Sequence, residues 1–194
     1  MSTPFHPQAL VPITDGTEEI EAVSIIDVLR RAGVEVTVAG VGTAGRPAAS
    51  LHFTASRGVG LMADKSIESC ERNSYAAIVL PGGMPGAAHL RDCPALSRML
   101  ADQDRAGRLV AAICASPVVV LQSQGLLRGR GATCYPGMRE QMEAASRRPG
   151  RVVQDGNLLT SQGPGTALEF TLAVVAHLCG PGRRSEIAAQ LLMA

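Results

Sequence analysis

The chain has 194 residues, 46% hydrophobic and 18% charged, and its eighteen basic and seventeen acidic residues leave a net charge of +1. That length suits one domain with a full core, and the even charge balance offers no basic stripe to nucleic acid or an anionic membrane surface. No run of about 18 uncharged apolar residues is present to cross a bilayer.

Residues 1–8 lack the basic and apolar regions of a secretory signal and read as a disordered tail before a single domain over 9–194. Five cysteines, at 70, 93, 114, 134 and 179, are odd in number and form no C-x-x-C pair. This argues against a disulfide framework and a structural zinc site, and fits a reducing cytoplasm.

Taken in order, residues 9–14 are a short apolar run closed by Asp15-Gly16, a first buried strand in which Pro12 sits awkwardly. Thr17 is positioned to cap a helix over 18–32 that Gly33 ends, and 34–41 is a second strand, so the chain begins with a βαβ unit. At ~100° per residue, Ala22, Ile25, Val28, Leu29 and Ala32 form one apolar arc of that helix, and Glu21 falls inside it. Glu19 falls on the opposite, solvated arc. First-turn acids complement the helix dipole, whereas a carboxylate aimed at a core must be paired, protonated or functional; Glu21 fits either description.

Residues 43–75 suggest a hairpin-like excursion from the pieces 51–54 and 59–62, then a short helix after Asp64-Lys65-Ser66, with Arg57 and His52 on the surface. A clear strand over 76–80 ends in Pro81-Gly82-Gly83-Met84-Pro85-Gly86, where backbone N–H groups can approach a ligand; a plain tight turn is the alternative. A helix over 94–106 leads to the stretch that organises the rest: an apolar run over 109–113, then Cys114-Ala115-Ser116-Pro117 and a helix to about 124. This is a strand, a sharp turn and a helix, with the cysteine on the turn and small residues at Ala112 and Ser116 leaving room for the bend. A helix start favours a thiolate, so Cys114 reads as reactive in preference to a buried core thiol.

Residues 131–134 look like a strand running into a turn at Tyr135, with a short helix over 138–145, and 152–160 is a hairpin turning at Asp155-Gly156-Asn157. The loop Ser161-Gln162-Gly163-Pro164-Gly165-Thr166 enters a helix over 167–178, and after a Gly180-Pro181 break a last helix starts at Ser185. Strands alternating with helices predict a mostly parallel sheet covered on both faces, with a small β-hairpin, and ligands gather outside the carboxyl ends of such strands. Glu21, Gly82-Gly83, Cys114 and Tyr135 all fall at such ends. Two neighbouring anions repel, so a Cys114–Glu21 pair would share one proton, with Gly83 and Ala115 N–H groups free to receive an oxyanion.

The stretches Asp15-Gly-Thr-Glu-Glu-Ile-Glu21, Arg30-Arg-Ala-Gly33, Val36-Thr-Val-Ala-Gly40, Leu80-Pro-Gly-Gly83, Ala111-Ala-Ile-Cys114-Ala115 and 159–170 resemble, colinearly, the ThiJ/PfpI family of the class I glutamine amidotransferase-like superfamily, in its parkinsonism-associated deglycase branch. The resemblance implies a flavodoxin-like three-layer sandwich, a homodimer, and cofactor-free, metal-free glyoxalase or protein deglycase action on methylglyoxal, glyoxal or their protein adducts. It implies Cys114 as nucleophile, Glu21 as acid/base, Gly83 and Ala115 as oxyanion donors, and Gly82, Tyr135 and Pro164 as site-lining residues. It equally accommodates an oxidative-stress sensor or redox-regulated chaperone acting through Cys114 oxidation. Proteolysis is not implied, because the wider family's proteases carry histidine directly after the cysteine, where this chain has Ala115.

Overall fold

In the computed structural model, described over residues 6–43 and 51–193, a seven-stranded sheet runs in the order β5-β2-β1-β6-β7-β9-β8. Its strands are β1 (Gln8–Ile13), β2 (Glu35–Gly40), β5 (Lys65–Ser66), β6 (Ala77–Leu80), β7 (Leu109–Ile113), β8 (Val152–Asp155) and β9 (Leu158–Ser161). All neighbours are parallel except β8, which runs antiparallel to β9. A separate antiparallel pair, β3 (His52–Thr54) and β4 (Gly60–Met62), is the excursion expected there. Residues 1–5 of the expected tail lie outside the described residues, and β1 begins at Gln8, which pairs with Glu35.

The central strands are buried along nearly their whole length because helices cover both faces, so they read as continuous apolar runs. On one face α1 (Glu19–Arg31) packs with the long C-terminal helix α4 (Ala167–Gln190). On the other lie α2 (Gly86–Arg91), α3 (Pro94–Arg105) and a π-helical segment Pro117–Gln122. Pro12 is accommodated in a central strand because the β1–β6 ladder ends at Leu10, so its missing N–H costs no bond to that neighbour.

Four local expectations are corrected. α2 forms directly after the glycine loop, in a segment for which no element was expected. The helix after Pro117 is π-helical. Residues 131–134 form no strand beyond one bridge from Ala132 to Arg147, because their N–H groups go separately to Ser146 O and to the Thr160 hydroxyl. Instead of a helix over 138–145 there are two 3-10 turns, Pro136–Gln141 and Ala144–Ser146. The break at Gly180 is present as a left-handed residue (φ 86°) that kinks α4 before Pro181.

Strand order reverses between β1, whose crossover leads to β2 on one side, and β6, whose crossover leads to β7 on the other. That reversal opens a crevice at the carboxyl ends of β1, β6 and β7.

Candidate active site

Cys114 follows β7 with φ of 65°, in the left-handed region that a side chain occupies at a cost of about 1–2 kcal/mol. Its surroundings over-determine that geometry. Its N–H donates to Ser161 O at 3.1 Å, and its carbonyl accepts the Tyr135 N–H at 2.8 Å. Ser116 donates its hydroxyl to Pro81 O at 2.6 Å and so ties the elbow to the glycine loop. The thiol is 8% exposed.

The loop after β6 touches the elbow so closely that Gly82 admits no side chain. A Cβ there would lie 2.6 Å from Cys114 Cβ and 3.0 Å from a carboxyl oxygen of Glu21. Gly83 adopts φ of 91°, and a Cβ on it would come within 2.5 Å of Glu18 N and Gly16 O. The Gly83 and Ala115 N–H groups lie near enough to the Cys114 sulfur to favour its anion.

Glu21 is fully buried on α1. Its Oε2 accepts the Gly82 N–H at 2.7 Å, and its Oε1 has no conventional hydrogen-bond partner among the described residues. Burial pushes its pKa up to about 7; the Gly82 N–H and the Cys114 thiol work against that rise, and the Glu18 charge adds to it. Glu21 is therefore the protonatable core carboxyl, and first-turn dipole complementation is not its whole role.

The thiol runs opposite to what a helix start alone suggests. Burial and then the neighbouring Glu21 carboxylate push it up to about 12, outweighing the pull of the Gly83 and Ala115 N–H groups. Cys114 and Glu21 titrate as one pair in two steps. The first proton leaves near 7; the second would place two anions side by side and leaves only far above neutrality. In the singly protonated pair, a proton on the carboxyl makes sulfur the anion, already facing two N–H donors.

Glu18, not Thr17, caps α1: its Oε2 accepts the Glu21 N–H at 2.7 Å. The Thr17 hydroxyl closes the preceding turn by accepting the Thr14 N–H. Glu19, expected in solvent, is buried and accepts from the Ser56 hydroxyl and the Arg57 N–H, both at 2.7 Å, strapping the β3–β4 turn to the start of α1. Glu18 and Ser116 escaped sequence reasoning as site residues, although an acid three residues before another at a helix start is a capping signal.

Tyr135 is 47% exposed, with its ring beside Gly137 and Gly163. With Pro164 and Arg151 it lines a cleft of about 200 Å³ that does not include Cys114. The two are thus joined to each other, and of them only Tyr135 bonds Cys114 directly, through its backbone. A wider cleft of about 830 Å³, lined by His6, Tyr75, Arg108 and His177, lies at the opposite, amino ends of the strands and contains none of the paired groups. Among the described residues no cluster could hold a metal ion, no helix is long and apolar enough to cross a membrane, and all five cysteines are free.

A parallel α/β sandwich with a strained cysteine elbow facing a buried carboxyl defines a class of thiol proteins, and comparison narrows it. Residues 7–177 match the DJ-1/PfpI family, and the chain belongs to that family. It is similar to Protein DJ-1 homolog B of Arabidopsis thaliana (48% identical over 90% of this chain and 38% of the relative) and to the Parkinson disease protein 7 homolog of Danio rerio (39%, over 96% and 97%). The chain spans less than half the length of the Arabidopsis relatives, 38% and 47%. It is also similar to a Caenorhabditis elegans protein named glutathione-independent glyoxalase DJR-1.2 (33%, over 95% of each chain). Among solved structures, oxidized Toxoplasma gondii DJ-1 superposes with a TM-score of 0.92 at 47% identity, covering 97% of this chain and 99% of its own. These matches bear out the flavodoxin-like sandwich.

Proposed function

We propose that the protein is a cofactor-free glyoxalase that converts methylglyoxal or glyoxal to the hydroxy acid without glutathione, and that it also acts on the adducts these dicarbonyls form with proteins. The observation that carries the reading is the Cys114–Glu21 pair, one thiol and one buried carboxyl sharing a proton near neutrality. The name of the Caenorhabditis relative supports it.

The chemistry balances on this chain's own groups. Cys114 sulfur, as thiolate, adds to the aldehyde carbon, and the new alkoxide takes the Glu21 proton to give a hemithioacetal. The Glu21 carboxylate then removes the hydrogen from that carbon, forming an enediol, and returns it to the adjacent carbon. One carbon is oxidised and its neighbour reduced, leaving a thioester that water hydrolyses to free thiol and hydroxy acid. The Gly83 and Ala115 N–H groups receive the oxyanions along this path. Gly82, with no side chain, leaves room for the reacting carbon, and Tyr135 meets the elbow through its backbone while its ring and Pro164 line the neighbouring cleft. The protein would work as a homodimer in a reducing compartment.

Lactate formed from methylglyoxal in the absence of glutathione tests this. Cys114→Ser is expected to lower the rate by at least about a hundredfold. Equal rates in the variant and the wild type would overturn the proposal.

A further inference from the structure

Three hydrogen bonds close a ring around the acid. The Glu18 N–H donates to Gly82 O at 2.9 Å, the Gly82 N–H donates to Glu21 Oε2 at 2.7 Å, and the Glu21 N–H donates to Glu18 Oε2 at 2.7 Å. Each residue in the ring gives one bond and takes one. The ring joins the start of α1 to the loop whose Gly82 lies against Cys114 Cβ, so the position of the carboxyl relative to the sulfur is set through Glu18. Glu18 itself is half-buried and touches neither reacting atom in these bonds.

We infer that Glu18 is the positioning residue of the site: by bonding both Gly82 and Glu21 it fixes the acid against the thiol, and its negative charge biases the shared proton toward Glu21, raising the share of the pair in which sulfur is the anion. The direction follows from proximity. The Glu18 charge raises the proton affinity of Glu21 and is absent from the larger influences on Cys114. A negative charge closer to the carboxyl than to the sulfur favours the form in which the carboxyl is neutral. Other charged groups do not substitute for it: Glu19 on the same turn is turned away to Ser56 and Arg57, and the acid-bearing face of α1 continues with Ala22 and Ile25 in the core.

This rests on the Cys114–Glu21 pair proposed above, but its test does not require turnover. The rate of Cys114 alkylation by iodoacetamide is followed against pH, with peptide mapping to separate the other thiols. Glu18→Gln keeps an oxygen for the helix cap and removes the charge, so it is expected to fold with an unchanged melting temperature. Its reactivity midpoint should fall by about half a pH unit, and its plateau rate should drop about threefold, because more of the shared proton sits on sulfur. Glu18→Ala, which also opens the ring, should drop the plateau further. A Glu18→Gln profile that overlays the wild type in both midpoint and plateau overturns the inference, as does a loss of reactivity that merely tracks a lowered melting temperature. Because dicarbonyl turnover plays no part, failure of the glyoxalase reading would leave this result interpretable by itself.

Discussion

At the scale of single residues, the site is held by groups that stability alone would not choose. Glu21 retains its proton in the folded chain between its ordinary value near 4.5 and about 7, whereas the unfolded chain has released it. The folded state therefore binds more protons over that interval, and its stability falls as pH rises through it, by up to about 3 kcal/mol. Glu21→Gln accepts the same Gly82 N–H with no charge to bury, so it should flatten that decline and unfold at higher denaturant than wild type above pH 7 while abolishing activity. Urea titrations at pH 5 and 8 check this; parallel stability losses in both proteins would contradict it. The cysteine was readable because an apolar strand ending in a lone thiol has few other interpretations. Glu21 was only half readable: its place on the apolar arc is set by helical periodicity, but whether it is buried and protonated depends on Gly82, sixty-one residues away. Glu19 was misjudged for the same reason, since its partners on the Ser56–Arg57 turn are remote in the chain.

At the scale of elements, β1, α1, β2, β6, α3 and β7 follow from the alternation of apolar strands and amphipathic helices, and the structure has them within a residue or two of expectation. What could not be read is the set of segments whose backbone bonds leave their own neighbourhood. Residues 131–135 are apolar enough for a strand, yet their N–H groups are spent on Ser146, Thr160 and the Cys114 carbonyl, so they buttress the elbow without joining the sheet. α2, only six residues long, begins at the last glycine of a loop rich in Gly, Met and Pro that locally resembles a turn. α1 is closed by a remote group as well: Arg183, just past the kink in α4, donates to Arg31 O at 2.7 Å and Ala32 O at 3.1 Å. A cation on the last carbonyls of a helix satisfies acceptors that have no intrahelical donor. Arg183→Ala should cost about 1 kcal/mol and raise amide exchange at the end of α1. Unchanged melting and exchange would show that the contact contributes nothing.

At the scale of the whole molecule, the sheet edges are short: β5 is two residues, one of them lysine, and β8 is four with its last two exposed. Such edges give another chain little to extend. The apolar surface available for self-association lies elsewhere, with Ile20 56% and Val23 49% exposed on α1, and Val59 and Met62 exposed on the hairpin that Glu19 straps to the same end of the helix. A homodimer formed through this face should sediment as a dimer in wild type and as a monomer after Ile20→Lys; a wild-type monomer would refute it.

Glu21, Gly82 and Cys114 stand on strand ends that meet only after both crossovers have closed, because β1 pairs β6 from Ala9 to Ala77 and β6 pairs β7 from Ala77 to Leu109. Pairings of such sequence separation form slowly. In a chain where those pairings have not formed, Cys114 lacks Glu21 and the glycine loop as neighbours, and the Cys114–Glu21 pair exists only once the sheet is assembled. The environment that sets this sulfur apart from the other four is thus a property of the folded sheet and not of any local stretch of sequence.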